Sequence, residues 1–150
     1  CVKVEVNQEK PVRYDLAMVG EENLDEELDE DDYFGFGVDA GMGCIADIQT
    51  QTAFNEYWAK QLEADPDIDY YNDLFCDLLE ENAKAHPKYQ EKHGDWLNWM
   101  VPGTDCNLPI FSSGWGDGYY PVYFGYDAKG AVCAVYIQFI DIESSYEEQE

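Results

Sequence analysis

The stretch FSSGWGDGYYPVYFGYD, residues 111–127, restricts the possible folds of this chain more than any other. Its first half places glycine at every second position of GWGDG, residues 114–118, so the backbone is expected to bend where no Cβ is tolerated. Its second half alternates in the manner of a β-strand. The stretch therefore predicts a glycine-rich turn at the mouth of a strand. Such a turn is either a ligand site or a hairpin corner, and in the second case Asp117 would hold it by accepting backbone N–H groups.

The remaining sequence predicts a folded chain of the α+β class. A length of 150 residues indicates one domain, residues 1–150, and apolar and aromatic fractions of 45% and 15% indicate a packed core. The expected architecture is an antiparallel β-sheet of about five or six strands with two helices packed on one face.

Hydrophobic periodicity places these elements along the chain. Alternation predicts strands at residues 2–6, 11–19, 108–112, 120–125 and 131–140, the last of them apolar and central. The first two strands are expected to pair as a hairpin. Helical spacing predicts helices over residues 52–64 and 70–84, the second capped by Asp69. Residues 86–106, punctuated by proline and glycine, are predicted to be irregular, with a short turn near Trp96 covering the core.

Acidity is the strongest feature of the composition. The chain carries 33 acidic and 8 basic residues, a net charge of −25. This balance argues against a nucleic-acid partner and against an anionic membrane surface, because both need exposed lysine and arginine. No run approaches the ~18 apolar residues that span a bilayer, so a cytoplasmic protein is expected. The same charge attracts a basic protein and speeds its encounter, whereas the alternative is that acidity serves only solubility.

No pattern in the sequence predicts a metal ion or a cofactor. Residues 21–32 carry nine acids among twelve positions, which is typical of a solvated loop. The DPDID segment, residues 65–69, is not followed by the glycine and glutamate that a calcium loop needs. The five cysteines are widely spaced, and His86 and His93 do not cluster with them, so buried thiols and surface histidines are expected.

A second glycine-rich block, FGFGVDAGMGCIAD, occupies residues 34–47. Asp39 opens its turn, which continues through Gly41. No lysine follows to neutralise a phosphate, so Asp39 is interpreted as a turn or cap acid rather than as part of a phosphate-binding loop.

Three blocks together resemble the bacterial family known as domain of unknown function 4241. The first is PVRYDLAMV, in which Tyr14 and Asp15 stand where the family has Trp and Glu. The second is FGFGVDAGMGCIAD, with Ile45 in place of Phe, and the third is FSSGWGDGYYPVYFGYDAKG followed by an apolar strand. The resemblance covers about residues 11–52 and 107–141, the C-terminal two-thirds of family members. It implies that an N-terminal segment of the full-length protein precedes this chain.

The resemblance also implies that the two glycine- and aspartate-rich blocks form one ligand-binding or structural motif if their loops meet. The candidate residues are Asp39, Gly41, Asp47, Ser113, Gly114, Trp115, Gly116, Asp117, Gly118 and Tyr120. No catalytic residue is assigned among them, because the serine does not stand in a G-x-S-x-G motif and has no placed histidine.

Three functions fit these observations. The first is a non-enzymatic interaction protein, such as a bacterial immunity protein that neutralises a basic toxin, with aromatic side chains as interface anchors. The alternative is a small-ligand or hydrolytic site that uses Asp39 and Asp117 as paired carboxylates. The third is a scaffold domain of a larger chain. The first is preferred, so the protein is expected not to be an enzyme.

Overall fold

The computed structural model describes residues 1–18 and 35–140, which divide into two compact units. Unit 1 draws its described residues from Cys1–Gly41 and Ser113–Glu150, and unit 2 is the continuous segment Met42–Ser112. The acidic loop predicted at residues 21–32 and the tail after residue 141 lie outside the described residues. The prediction that residues 1–150 form one domain stays a prediction.

Nine strands and two α-helices are present in the described residues. In chain order the strands are β1 Val2–Glu5, β2 Arg13–Leu16, β3 Phe36–Val38, β4 Met42–Cys44, β5 Trp96–Met100, β6 Asn107–Ser112, β7 Gly118–Tyr120, β8 Val122–Tyr126 and β9 Val132–Ile137. The helices are α1 Ile48–Ala64 and α2 Cys76–Ala85, and a π-helical turn at Tyr71–Phe75 precedes the second. The α+β class is therefore confirmed.

The described strands form three antiparallel sheets, of four, two and three strands, rather than one sheet of five or six. Pro121 is one reason for the difference. It has no N–H to donate to a ladder, and it separates β7 from β8, which the sequence predicts as one strand. A second reason is the turn after Val38, where Ala40 and Gly41 both adopt positive φ and end β3.

The four-stranded sheet of unit 1 has the order β1-β9-β8-β2. The predicted hairpin of β1 with β2 is wrong, because these strands pair with β9 and β8 instead. Cys133, Ala134 and Ile137 of β9 are buried, so this strand takes a central position with a partner on each side, as predicted. The shorter and more exposed β1 and β2 take the two edges.

A tight turn at Asp127 joins β8 to β9. Asp127 is buried, and its Oδ1 accepts hydrogen bonds from the backbone N–H groups of Lys129 at 2.8 Å and Ala131 at 3.0 Å. These donors, that of Ala131 first, hold the pKa of the Asp127 carboxyl below its usual value. The ionised carboxylate therefore stabilises the folded state.

This turn predicts a specific loss of stability in acid. Because the folded pKa is lowered, the contribution of Asp127 is complete above the usual aspartate value of about 3.9 and is lost as the pH falls through the folded pKa. The Asp127→Asn variant cannot ionise, so its deficit relative to wild type should be largest near neutral pH and should shrink below about pH 4. Thermal unfolding of both proteins between neutral pH and about pH 2 measures this. A deficit that is constant with pH would contradict the assignment.

Unit 2 packs both helices on one face of the three-stranded sheet β4-β6-β5, as predicted. Its core contains Phe75, Leu79, Trp99, Val101, Leu108 and Ile110. Phe54 and Tyr57 of α1 pack on this core, with ring centroids 6.2 and 5.4 Å from that of Trp99. These two aromatic side chains of α1 are therefore partly buried against the core of unit 2.

Residues 96–100 form strand β5, so the prediction of an irregular segment there is wrong. Apolar side chains occur on both faces of this strand, and Trp99 is buried whereas Trp96 is 40% exposed. A strand that is apolar on both faces gives no alternation in the sequence. The side chain of Asn82 on α2 donates a hydrogen bond to the Trp96 carbonyl, which helps to cover this edge of the sheet.

Aspartates accept backbone N–H groups at the start of α1 and near the start of the π-helical turn that precedes α2. Asp47 Oδ1 accepts the N–H of Thr50 at 2.7 Å at the start of α1. Asp69 Oδ1 accepts the N–H of Asn72 at 2.7 Å, and Asp73 accepts the N–H of Asp69 in return. These bonds lie at the start of the π-helical turn, whereas α2 begins at Cys76 with Phe75 at its N-cap and no side-chain cap there, so Asp69 does not cap α2 as predicted.

Candidate functional site

The candidate site is built on the two-stranded ribbon of β3 and β7 in unit 1. The register pairs Phe36 with Tyr120, Gly37 with Tyr119 and Val38 with Gly118. Because successive side chains point to opposite faces of a strand, the ribbon has two different faces. One carries Phe36 and Val38 with Tyr120, of which Val38 is 6% exposed and Tyr120 7%. The other carries Gly37 and Tyr119 and is exposed.

The loop that leads into β7 is fixed by Ser113. The buried Ser113 hydroxyl donates to the carbonyl of Gly116 at 2.6 Å and accepts the N–H of the same residue at 3.0 Å. The Tyr120 hydroxyl donates to that carbonyl as well, at 2.9 Å. Gly114 and Gly116 adopt φ values of +82° and +90°, in which a side chain is strained. Glycine spacing in the sequence thus marks the positions where the loop turns.

Two hydrogen bonds join this loop to the turn at residues 39–41. Asp117 Oδ1 accepts the N–H of Gly41 at 2.7 Å, and the Gly41 carbonyl accepts the N–H of Ser113 at 2.9 Å. The two backbones approach closely here, because a Cβ on Gly41 would lie 3.5 Å from the Cα of Gly116. Asp39 Oδ1 accepts the N–H of Ala40, at 2.9 Å, within the same turn.

Two aromatic side chains project from this fixed backbone. Trp115 is 66% exposed and Tyr119 is 58% exposed. A Cβ built on Gly37 would lie 3.5 Å from Cε2 of Tyr119 and 3.7 Å from Cζ, so the tyrosine ring lies against the bare backbone of Gly37. The site is therefore a rigid, exposed surface with two aromatic rings and two carboxylates.

The geometry does not show to which protein family the chain belongs, but a comparison with family models does. The model described as Protein of unknown function (DUF4241) matches residues 1–137. The chain belongs to the DUF4241 family. No curated protein and no solved structure matches it.

The DUF4241 match includes both glycine- and aspartate-rich blocks, and the structure brings most of their predicted residues together. The residues that meet at the ribbon and its loops are Asp39, Gly41, Ser113, Gly114, Trp115, Gly116, Asp117, Gly118 and Tyr120. Asp47 belongs to unit 2, where it caps α1. The Thr50 N–H is the main cause that lowers the pKa of its carboxyl.

Sequence reasoning missed Gly37 and Ala40. Gly37 provides the bare backbone under Tyr119, and Ala40 adopts a φ of +57° that non-glycine residues seldom take. The alternation of phenylalanine with glycine in FGFG carries the signal for the first. It indicates a strand that lacks side chains on one face, and such a face is suited to hold a cross-strand ring.

The geometry of Ser113 does not suit nucleophilic chemistry. Ser113 is 2% exposed, and its hydroxyl both donates to and accepts from the backbone of Gly116. In the described part of the chain, no group of three or more His, Cys, Asp or Glu side chains is placed to hold a metal ion. Within the same residues, no helix is both long and apolar enough to cross a membrane.

The bond between Asp117 and Gly41 predicts the result of two substitutions. Asp117→Ala removes the acceptor of the Gly41 N–H and should lower the free energy of unfolding by about 1 kcal/mol, since the bond is exposed to solvent. Asp117→Asn keeps an acceptor oxygen at the same place and should cost less. Denaturant unfolding and hydrogen exchange at the Gly41 amide measure both effects. Unchanged exchange at Gly41 in Asp117→Ala would contradict the structural role.

Proposed function

We propose that this DUF4241 protein is a non-enzymatic interaction module that binds a basic protein, as an immunity protein binds and neutralises a basic toxin. The proposal places it in the bacterial cytoplasm, with no nucleic acid or membrane as partner. A net charge of −25 supports it, because a field of this size attracts a cationic protein and repels phosphate.

One observation carries the proposal, namely the exposure of Trp115. Its side chain is 66% exposed on a loop that hydrogen bonds of Ser113 and Asp117 hold in place. Tryptophan and tyrosine dominate the binding energy of many interfaces, because each buries a large area at a small cost in conformational entropy. A pre-formed loop avoids the further cost of ordering its backbone on binding.

The charge and the aromatic rings would act on different steps of binding. Long-range attraction between an acidic and a basic protein raises the association rate and is screened by salt. Desolvation of aromatic anchors lowers the dissociation rate. The proposal therefore predicts association that slows with salt and dissociation that depends on the aromatic residues.

The proposal predicts that a basic protein is encoded beside the gene, and a direct test uses that protein as the probe. Trp115→Ala should weaken its binding about thirtyfold, which corresponds to about 2 kcal/mol, mainly through faster dissociation. Trp96→Ala is the matched control, since Trp96 is 40% exposed and belongs to unit 2. It should bind within about twofold of wild type.

Two results of this test would contradict the proposal. One is that the neighbouring basic protein does not bind at low salt. The other is that the two tryptophan variants bind equally well. A growth assay gives a further readout, because co-expression should relieve the toxicity of the partner in wild type and less so in Trp115→Ala.

The second proposal is a small-ligand or hydrolytic site formed by Asp39 and Asp117. Its supporting observation is that both carboxylates lie at one turn, since Asp117 bonds to Gly41, two residues after Asp39. One carboxylate would then act as a general base. Asp39→Asn keeps the acceptor for the Ala40 N–H and removes the charge. Loss of hydrolysis of model esters at unchanged stability would support this proposal, and wild-type protein without such hydrolysis would contradict it.

A further inference from the structure

One dipeptide at the start of β7 is chemically labile. Asp117 is followed by Gly118, and this is the single Asp-Gly pair in the sequence, which contains no Asn-Gly pair. An aspartate followed by glycine is prone to form a cyclic imide, because glycine has no side chain that hinders the approach of its nitrogen to the carboxyl group. Both residues are exposed, so water reaches them. The pair is therefore a candidate for spontaneous isomerisation of aspartate to isoaspartate.

The fold itself requires both members of this pair. Asp117 Oδ1 accepts the Gly41 N–H at 2.7 Å, and this bond joins the two glycine-rich turns. Gly118 has a φ of +154°, a backbone conformation that residues with a Cβ rarely adopt. A substitution that removed the lability would thus also remove a feature on which the ribbon depends.

The same contacts hold the pair away from the reactive arrangement. Ring closure brings Asp117 Cγ to the Gly118 nitrogen, so the carboxyl group must turn toward its own backbone, and its bond to the Gly41 N–H is lost. Gly118 must also move, because its nitrogen becomes part of a planar ring. In the folded state this residue is paired with Val38 in the β3–β7 ribbon. Cyclisation therefore requires local opening of the ribbon.

We infer that Asp117 is a site of isoaspartate formation, and that the β3–β7 ribbon suppresses this reaction as long as its strands stay paired. The inference is independent of the proposed function, since it concerns the covalent state of the chain and not its partner.

The reaction needs no group beyond the two residues and water. The Gly118 nitrogen attacks Asp117 Cγ, so a C–N bond forms while a C–O bond of the carboxyl group breaks. The amide proton and the departing hydroxyl leave as one water molecule. Water then adds to either carbonyl of the imide ring. Opening at Cγ restores aspartate, whereas opening at the backbone carbonyl leaves the main chain running through Cγ, as isoaspartate.

Isoaspartate at this position would break the contact that joins the two turns. The main chain gains one atom, Cβ, and the carboxylate is then attached directly to Cα. The carboxylate is therefore shorter by one carbon, and the added atom shifts the loop relative to β7. Hydrogen exchange at the Gly41 amide should be faster in the isolated isoaspartyl protein than in the unmodified protein. Unchanged exchange there would contradict this consequence.

The test compares the wild-type chain in its folded state with the same chain unfolded in guanidinium chloride. Both samples are incubated in heavy-oxygen water and digested, and the peptide that contains residue 117 is analysed by mass spectrometry. Each passage through the imide introduces one heavy oxygen atom, and isoaspartate blocks a protease that cleaves before aspartate. Isoaspartate at Asp117 should form at least about tenfold faster in the unfolded chain. Asp39 and Asp127, each followed by alanine, are internal controls in the same digest and should react much more slowly.

A matched pair of variants tests the role of the ribbon in the folded protein. A Cβ added at Gly35 would lie 2.3 Å from the Tyr120 carbonyl oxygen and should open the ribbon. A Cβ added at Gly37 would meet only the Tyr119 ring, at 3.5 Å. Gly35→Ala should form isoaspartate at least about fivefold faster than wild type, and Gly37→Ala within about twofold of it.

A third variant tests the chemistry without reference to the fold. Gly118→Ala, unfolded in guanidinium chloride, should react much more slowly than the unfolded wild-type chain, because its methyl group hinders ring closure. The comparison is made between unfolded chains, so it holds whether or not this variant folds in water.

Four results would overturn the inference. The first is that, in the unfolded chain, Asp117 reacts no faster than Asp39 and Asp127. The others are equal rates in folded and unfolded wild type, in Gly35→Ala and Gly37→Ala, or in unfolded Gly118→Ala and unfolded wild type. None of these results bears on the proposed function, which is judged by binding of the neighbouring basic protein.

Discussion

Replacing Gly94 with alanine is expected to destabilise unit 2 by about 2–5 kcal/mol, a large part of the stability of a small protein. A Cβ at this position would lie 2.4 Å from the carbonyl oxygen of Leu79, 2.7 Å from its carbonyl carbon and 2.9 Å from its Cβ. Leu79 is 2% exposed on α2 and cannot withdraw without disturbing the core. Gly94 also has a φ of +89°, so alanine would be strained even in open space.

Gly103→Ala separates the two causes. Gly103 has a φ of +79°, but nothing lies within 4 Å of the Cβ that would be added. This variant should therefore show the backbone strain alone, about 1–2 kcal/mol. Denaturant unfolding followed by tryptophan fluorescence, with Trp58 and Trp99 in unit 2, measures both variants. If both variants lose the same free energy of unfolding, the close approach to Leu79 does not contribute to the loss.

Replacing Gly35 with alanine is expected to disrupt the β3–β7 ribbon at a cost of about 1–3 kcal/mol. The added Cβ would lie 2.3 Å from the Tyr120 carbonyl oxygen, 2.7 Å from its carbon and 3.2 Å from the nitrogen of Pro121. All three are backbone atoms, so no side chain can rotate away, and β3 must move from β7. Binding of the basic partner should weaken along with stability, because the loop that carries Trp115 leads directly into β7.

Gly37→Ala is the control for this effect. Its Cβ would meet only the Tyr119 ring, at 3.5 Å, an ordinary van der Waals contact. Stability should therefore change by less than about 1 kcal/mol. Hydrogen exchange at the amides of β7 follows the ribbon in both variants. If the β7 amides exchange as slowly in Gly35→Ala as in Gly37→Ala, the predicted clash between the added Cβ and the Tyr120 backbone does not occur.

Local patterns predicted the elements of this fold better than their pairing. Hydrophobic periodicity predicts strands β1, β2, β6 and β9 and both helices. An element that is buried on one face has apolar residues at a regular spacing, and this spacing can be read from the sequence. The partners of β1 and β2 were mispredicted, because the strands that pair with them lie near the other end of the chain. The sequence of residues 2–16 shows that β1 and β2 are strands, but it does not show which other strand each of them pairs with.

The candidate site shows the same division. Glycine spacing predicted where the 113–118 loop bends, and the hydrogen bond of Asp117 to a backbone N–H was predicted from the residue type. The donor of that bond, Gly41, lies 76 residues away in sequence, so only the structure could identify it. The position of Tyr119 over Gly37 could likewise not be predicted from the sequence, since it depends on the register of β3 with β7.

The order of the strands along the chain has a consequence for synthesis on the ribosome. Unit 2 is one continuous segment, whereas unit 1 needs β1, β2 and β3 from the beginning of the chain and β7, β8 and β9 from its end. All of unit 2 is synthesised before β7. It can therefore fold while β1, β2 and β3 are still unpaired. The aromatic and acidic surface is therefore assembled only after the whole of unit 2 has been synthesised.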